Sequence, residues 1–258
     1  VKLVRFELAD DPGTYRSGIF HDGRVYETDG ENAIGVHELS QVYLASPIGI
    51  PSTVRLFAPN PVGEANLAPH YVYYHPRQLH GVSEGVEPID PPSNLQVELR
   101  IAAVLQEGDA KVDPVEAGRF VLGYALMAVL IDQDLALDDR AVTAARDIGG
   151  VLGPVLVTPE ELVRYQERPD PAGEYRWPYK ISVNEHTLAQ GEYTTPGPMS
   201  TYLGVVSRSA ALLPGDVIAW PPLDVPDLAS TALGRSLVVG DRIAFEVEGM
   251  GILDLIVR

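Results

Sequence analysis

Two turns near the C-terminal end constrain the fold most. Each puts Gly-Asp directly before an alternating apolar segment: Leu213-Pro214-Gly215-Asp216-Val217-Ile218, and Val239-Gly240-Asp241-Arg242-Ile243-Ala244-Phe245-Glu246-Val247. Glycine reaches positive φ without steric cost, and the aspartate closes the turn with its own side chain. The apolar/polar alternation that follows has the period of a strand with one buried face. Glu248-Gly249-Met250-Gly251-Ile252-Leu253 then turns into a final strand. Turn-and-strand units of this kind imply an all-β or a mixed, β-rich fold. The 22 prolines and 24 glycines agree, because both residues interrupt long helices.

A chain of 258 residues is long enough for one large domain, or a small domain beside a large one. Its net charge of −17 repels nucleic-acid phosphate and anionic membrane, so neither is an expected partner. A small acidic ligand stays open, since a local cation can reverse the field inside a pocket. With no cysteine there is no disulfide, thiolate zinc site or thiol nucleophile. The start of the sequence has no signal-peptide pattern, and the longest apolar run, 120–131, is too short to span a bilayer. The expected location is therefore cytoplasmic.

Along the chain, 2–6 and 24–26 alternate as short strands around the His21-Asp22-Gly23 turn, giving a small N-terminal β-unit. Residues 36–43 read as a short helix or an irregular segment. The proline-rich stretch 51–69 reads as a linker with one strand at 53–57. The expected organisation is a small β-domain at 1–50, this linker, and a large domain at 70–258. In the large domain, 71–74, 96–105, 120–131 and 152–158 read as strands, the second and third continuously apolar as for burial on both faces. Asp113-Pro114 and Thr158-Pro159 open short helices, with Asp113 and Thr158 as caps. Strands are expected at 179–183 and 192–195 around Asn184-Glu185, and a helix at 200–211 with Ser200 as its cap. The remainder reads as strand.

Several of these stretches, in order, resemble the fumarylacetoacetate hydrolase superfamily. They are Tyr73-Tyr74-His75-Pro76 with Leu79-His80-Gly81; Leu95-Gln96-Val97-Glu98-Leu99; Asp147 with Leu152-Gly153-Pro154; Val183-Asn184-Glu185; and Leu212-Leu213-Pro214-Gly215-Asp216. The resemblance covers about 70–258. It implies a β-rich α+β fold with a coiled β-roll core, a homodimer, and small 2-oxo or diketo acids as ligands. It also implies carboxylates that hold Mg²⁺ or Mn²⁺, the ion stabilising an enolate, with a lysine and a His–Glu pair handling charge and protons.

The sequence departs from that pattern where the chemistry sits. The first metal-strand carboxylate falls on Gln96, the second on Glu98 and the third on Val129. The lysine falls on Ala144, with Arg146 two residues later, and the substrate turn falls near Trp220-Pro221-Pro222. The His–Glu pair has no counterpart in 60–70. One carboxylate in place of three binds a hard ion poorly. Asp132 and Asp134 are substitutes only if the register after Val129 shifts; otherwise they belong, with Asp138 and Asp139, to a solvated acidic face. His75 and His80 read equally as loop residues at a rim.

The expectations are therefore these. Glu98, Arg146 and Asp147 are the catalytic candidates, and Tyr73, His75, Gln96 and Trp220 the substrate-binding ones. Glu98 is the one candidate metal ligand. No cofactor is expected unless the family's Mg²⁺ or Mn²⁺ site survives. The pocket then binds a small oxo-acid ligand or runs metal-free chemistry. Two other readings stay open: a working metal-dependent hydrolase or isomerase, and a non-catalytic regulatory or structural subunit. A simpler role for Glu98 is ion pairing with Arg100 or Arg146.

Overall fold

The two longest apolar runs become the paired central strands of a large sheet. The computed structural model describes residues 1–59, 68–138 and 140–258; positions 60–67 of the expected linker and Asp139 of the acidic run lie outside them. Along the first part of the chain run β1 (Lys2–Leu8), β2 (Asp11–His21), β3 (Arg24–Thr28), β4 (Ala33–Glu38), β5 (Val42–Leu44), β6 (Val54–Phe57), β7 (Tyr71–Tyr74) and β8 (Leu79–His80). Then come β9 (Leu95–Leu105), β10 (Val121–Asp132), the short helix α1 (Gln133–Ala136) and β11 (Gly150–Val157). The chain continues through β12 (Arg176–Val183), β13 (His186–Thr194), helix α2 (Met199–Ser207), β14 (Val217–Ala219), β15 (Arg242–Val247) and β16 (Gly251–Ile256).

The result is a β-rich α+β fold of two sheets. The large one has the order β4-β3-β2-β1-β11-β10-β9-β14-β6-β7, with β5 added to β1 and β8 to β11. The N-terminal strands join it through the antiparallel β1–β11 pair, Lys2 opposite Val157 and Leu3 opposite Leu156. The small sheet has the order β13-β12-β15-β16.

β9 buries both faces. Leu99, Ile101 and Ala103 belong to the main core, shared with Trp177, Phe245, Leu253 and Leu203 of the small sheet and α2. Ala102 and Val104 belong to a second core with Ala125, Met127 and Val129 of β10. Alternation then puts Gln96, Glu98 and Arg100 on this second face.

Both Gly-Asp turns use the same device. Gly215 and Gly240 stand at φ 80° and 95°. The carboxylate of Asp216 accepts the N–H of Leu213 at 3.0 Å, and that of Asp241 accepts the N–H of Val238 at 2.9 Å. Asp216 is fully buried and pairs with Arg55 of β6 at 3.1 Å, which fastens the turn to the neighbouring strand.

Four expectations change. Residues 36–43 are the end of β4, a 3₁₀ turn at Leu39–Gln41 and the start of β5, because paired Val36 and Val42 prefer extended backbone. Helix α2 starts at Met199 with Pro198 as its cap residue, so Ser200 lies inside the helix. Thr158 precedes the 3₁₀ helix Pro159–Tyr165, but its hydroxyl accepts from the Val1 amine at 2.7 Å instead of capping. Most of 220–241 is irregular where strand was expected. Pro221, Pro222 and Pro226 have no N–H to offer a ladder. This segment still follows β9, with Leu223 N–H on Leu99 O at 2.8 Å and Leu237 N–H on Leu95 O at 2.9 Å. Among the described residues no helix is long and apolar enough to cross a membrane.

Candidate functional site

The second face of β9 turns polar at its N-terminal end, and there it meets a cleft. Its charged element is Glu98. Arg100, two residues on and on the same face, donates to Glu98 Oε2 from Nη2 at 2.7 Å and from Nε at 3.3 Å. Arg146, carried by the 3₁₀ turn Ala144–Arg146, donates from Nη2 to Oε1 at 2.5 Å and from Nε to Oε2 at 3.0 Å. One carboxylate thus lies in the grip of two guanidinium groups.

Both arginines are anchored elsewhere too. Arg100 Nη1 donates to the carbonyls of Phe57 at 2.6 Å and Trp220 at 2.9 Å, and Arg146 Nη1 to Val142 O at 2.7 Å. Arg100 is only 1% exposed. Burial by itself raises the Glu98 carboxyl, but the Arg100 charge and the Arg146 hydrogen bonds outweigh it and hold the group below the usual carboxylate range. Burial lowers the Arg100 guanidinium, and the Glu98 charge opposes that fall. Glu98 therefore stays ionised at neutral pH and has no proton to give as a general acid.

The neighbours of Glu98 are not oxygen donors free to take a cation. Val129 stands directly opposite it on β10. The Gln96 side-chain oxygen accepts the N–H of Leu228 at 3.1 Å, and its amide nitrogen donates to Asn94 at 3.1 Å. Asp132 caps α1 by accepting from Asp134 and Leu135 N–H, and Asp134 accepts from Asn94 at 2.8 Å. Among the described residues no group of three or more His, Cys, Asp or Glu is placed to hold a metal ion.

Two cavities meet above this floor. One, of about 560 Å³, is lined by Gln96, Glu98, Ile131 and the 222–228 segment. The other, of about 660 Å³, is lined by Tyr179, Tyr193 and Tyr202 together with Glu192 and several prolines. They share Pro59, Pro222, Leu223 and Asp224 as a common wall. The hairpin register sets the tyrosines: Trp177 pairs with Tyr193 and Tyr179 with Gly191, which puts these odd-numbered positions on one face. The Tyr193 hydroxyl is shut off from solvent and has no hydrogen-bond partner among the described residues. Burial pushes this phenol up strongly, Tyr202 adds to the rise, and the Arg100 charge opposes it.

The residues singled out from the sequence separate into three places. Glu98, Arg146 and Gln96 come together at the cleft floor. Tyr73, His75 and Asp147 line a different cavity of about 420 Å³, with Tyr74 and Thr143. There His75 Nδ1 accepts the N–H of Arg77 at 3.2 Å, and the Tyr73 ring lies under the Arg55 guanidinium at 5.2 Å. Trp220 is wholly buried, stacked on Tyr124 at 5.2 Å, with its indole N–H on Gly197 O. His80 pairs with Glu84 at 3.2 Å. Sequence reasoning missed Tyr179, Tyr193, Tyr202, Glu192 and Asp224; the available signal was odd-position aromatics in a hairpin.

Comparison with known proteins places the fold. The family model described as "Fumarylacetoacetate (FAA) hydrolase C-terminal" matches residues 51–258. None of the curated proteins matches the chain. Among solved structures, the chain is similar to the 5-carboxymethyl-2-hydroxymuconate delta-isomerase of Mycobacterium smegmatis. The TM-score is 0.76 at 22% identity, covering 100% of this chain and 99% of that one. It is also similar to a fumarylacetoacetate hydrolase from Exiguobacterium antarcticum, with TM-score 0.74, 22% identity and coverage of 100% and 99%. A maleylpyruvate hydrolase from Sphingobium sp. SYK-6 gives TM-score 0.74 at 18% identity, with coverage again 100% and 99%.

Proposed function

We propose, from the premise that the chain belongs to the fumarylacetoacetate hydrolase family, that its cleft serves a small ligand without a divalent ion, either holding it or transforming it by metal-free chemistry. The observation that supports this reading is the double guanidinium grip on Glu98. A hard divalent cation needs several oxygen donors, and carboxylates supply the charge. Here Glu98 Oε2 already accepts three N–H groups and Oε1 one. An ion at this carboxylate would displace at least one guanidinium and then sit beside two positive groups. The residues present do not fit Mg²⁺ or Mn²⁺.

In this reading Glu98 offsets one of the two positive charges of Arg100 and Arg146, whose other donors brace Phe57, Trp220 and Val142. The floor of the cleft is thereby a rigid polar platform, with Gln96 held to the 222–228 segment beside it. Tyr73, His75 and Asp147 line the separate cavity of about 420 Å³.

The activities named for the structural relatives, an isomerase and two hydrolases of small acids, define the rival: a metal-dependent enzyme whose clamp opens to admit an ion. Titration calorimetry with Mg²⁺ and Mn²⁺ separates the two. The expected result is no saturable binding below concentrations on the order of 1 mM. Micromolar binding that disappears in Glu98→Ala establishes the rival.

A further inference from the structure

We propose that the joined cleft selects an acid of single charge on a flat apolar body, such as an aryl-substituted oxo acid, over a dicarboxylic acid. The inference rests on the metal-free reading of the same cleft. The floor carries one surplus positive charge, because Arg100 and Arg146 share the lone carboxylate of Glu98. Arg146 is the more open of the two cations, with 15% of its side chain exposed against 2% for Arg100. A guanidinium has five N–H donors. Among the described residues Arg146 spends three of them on Glu98 and Val142 O, and two remain. One carboxylate head therefore finds a cation at the floor without breaking an existing bond.

A second head finds no such partner. Among the described residues the larger cavity is lined by no Lys, Arg or His, and the sequence has none at 60–67. Arg176, which pairs with Glu192 at 3.2 Å, is shared with Glu167 at 3.3 Å. Asp224 is exposed on the shared wall and forms no ion pair among the described residues, so it repels a further carboxylate. A carboxylate moved into this cavity loses its hydration with nothing in return, and that unmet charge is what discriminates. The wall suits a ring instead. Tyr179, Tyr193, Tyr202 and five prolines line it. Gly191 stands opposite Tyr179 in the hairpin, and the Tyr179 ring lies against it: an added Cβ there would be 3.6 Å from Cε1. A flat apolar group packs well on such a surface.

Three probes test the inference: phenylpyruvate, a ring-bearing monoacid; 2-oxoglutarate, a diacid; and phenylacetone, a ring-bearing neutral ketone. Each is titrated calorimetrically without metal and again with Mg²⁺. Without metal, phenylpyruvate should bind tightest, with the other two weaker by about tenfold or more. Tyr179→Ala should lower phenylpyruvate affinity by about fivefold. Arg146→Gln should lower it to the level of phenylacetone, whose own binding stays unchanged and reports an intact cleft. Equal affinity for 2-oxoglutarate and phenylpyruvate without metal, equal affinity for phenylacetone and phenylpyruvate, or no binding by any probe overturns the inference while leaving the metal-free reading intact. Binding of either acid that requires Mg²⁺ overturns the metal-free reading itself.

Discussion

Val129 lies directly across from Glu98 in the antiparallel pairing of β9 and β10, with Met127 across from Arg100 and Ile131 across from Gln96. Side chains at directly opposed positions are about 4.5–5.5 Å apart at Cβ. An isopropyl group, a thioether and a sec-butyl group therefore flank the polar row of β9. The only strong partners left for Glu98 are cations, and Arg100 and Arg146 supply them. The charge at this point of the sheet follows from that row of apolar neighbours.

The first prediction inverts this relationship. Gln96→Glu and Val129→Asp add carboxylates beside and opposite Glu98, and Arg100→Ala removes the more buried guanidinium. The triple variant brings three carboxylates to adjacent positions, a set suited to a hard cation. It should bind Mn²⁺ at least about tenfold more tightly than the parent protein. Manganese titration followed by electron paramagnetic resonance reads this directly. Equal binding by parent and variant contradicts the charge account of the site.

A second prediction concerns the fold. Arg100 is buried, and its loss leaves the Phe57 and Trp220 carbonyls without that donor and Glu98 with one partner. Removing one member of a buried ion pair typically costs about 3–5 kcal/mol. Arg146 still holds Glu98, so Arg100→Met should cost about 3 kcal/mol in urea unfolding. A loss below about 1 kcal/mol would mean that water replaces the guanidinium at little cost.

How much of this was legible in the sequence depends on the range of the interaction. β9 and β10 are readable because the apolar runs 101–105 and 120–131, rich in Val, Ile and Leu, suit strands buried on both faces. The Gly-Asp turns are readable because their closing bonds span three residues. Glu98 with Arg100 is a same-face pair two residues apart, visible from alternation alone. The Glu98–Arg146 pair, 48 residues apart, was readable only because the family resemblance put Arg146 two residues after the lysine position; alternation alone does not show it, since a 3₁₀ turn delivers Arg146. The tyrosine wall is hidden for a related reason. Tyr179 and Tyr193 sit on a half-buried hairpin, and the wall completes only when 220–228 runs along β9 through backbone bonds. Trp220 looked like a site residue by position, yet its ring is drawn into the aromatic stack with Tyr124.

Acid should unfold the protein through two carboxylates in particular. Glu98 is held below its ordinary range, and Asp241 is lowered from 3.8 to about 2, chiefly by the Arg235 hydrogen bonds against the opposing effect of burial. A carboxyl depressed in the folded state stabilises it fully above the unfolded value and loses that contribution as pH falls through the folded value. Stability should therefore be flat above the usual carboxylate range and fall as pH drops from about 4 towards about 2. Asp241→Asn should remove about 1 kcal/mol of that pH dependence, a figure reduced for screening around the 42%-exposed Arg235. Urea midpoints of both proteins between neutral pH and the acid limb provide the check. An unchanged acid slope in Asp241→Asn rules out this assignment.

The last prediction concerns the stability cost of one buried atom. The Tyr193 hydroxyl is buried without a partner among the described residues, and such a group typically costs about 1–3 kcal/mol. Tyr193→Phe removes the oxygen and keeps the ring that packs against the main core. The unliganded protein should become more stable by about 1 kcal/mol, seen as a higher urea midpoint with an unchanged slope. A destabilised variant would show that the hydroxyl has a partner in solution.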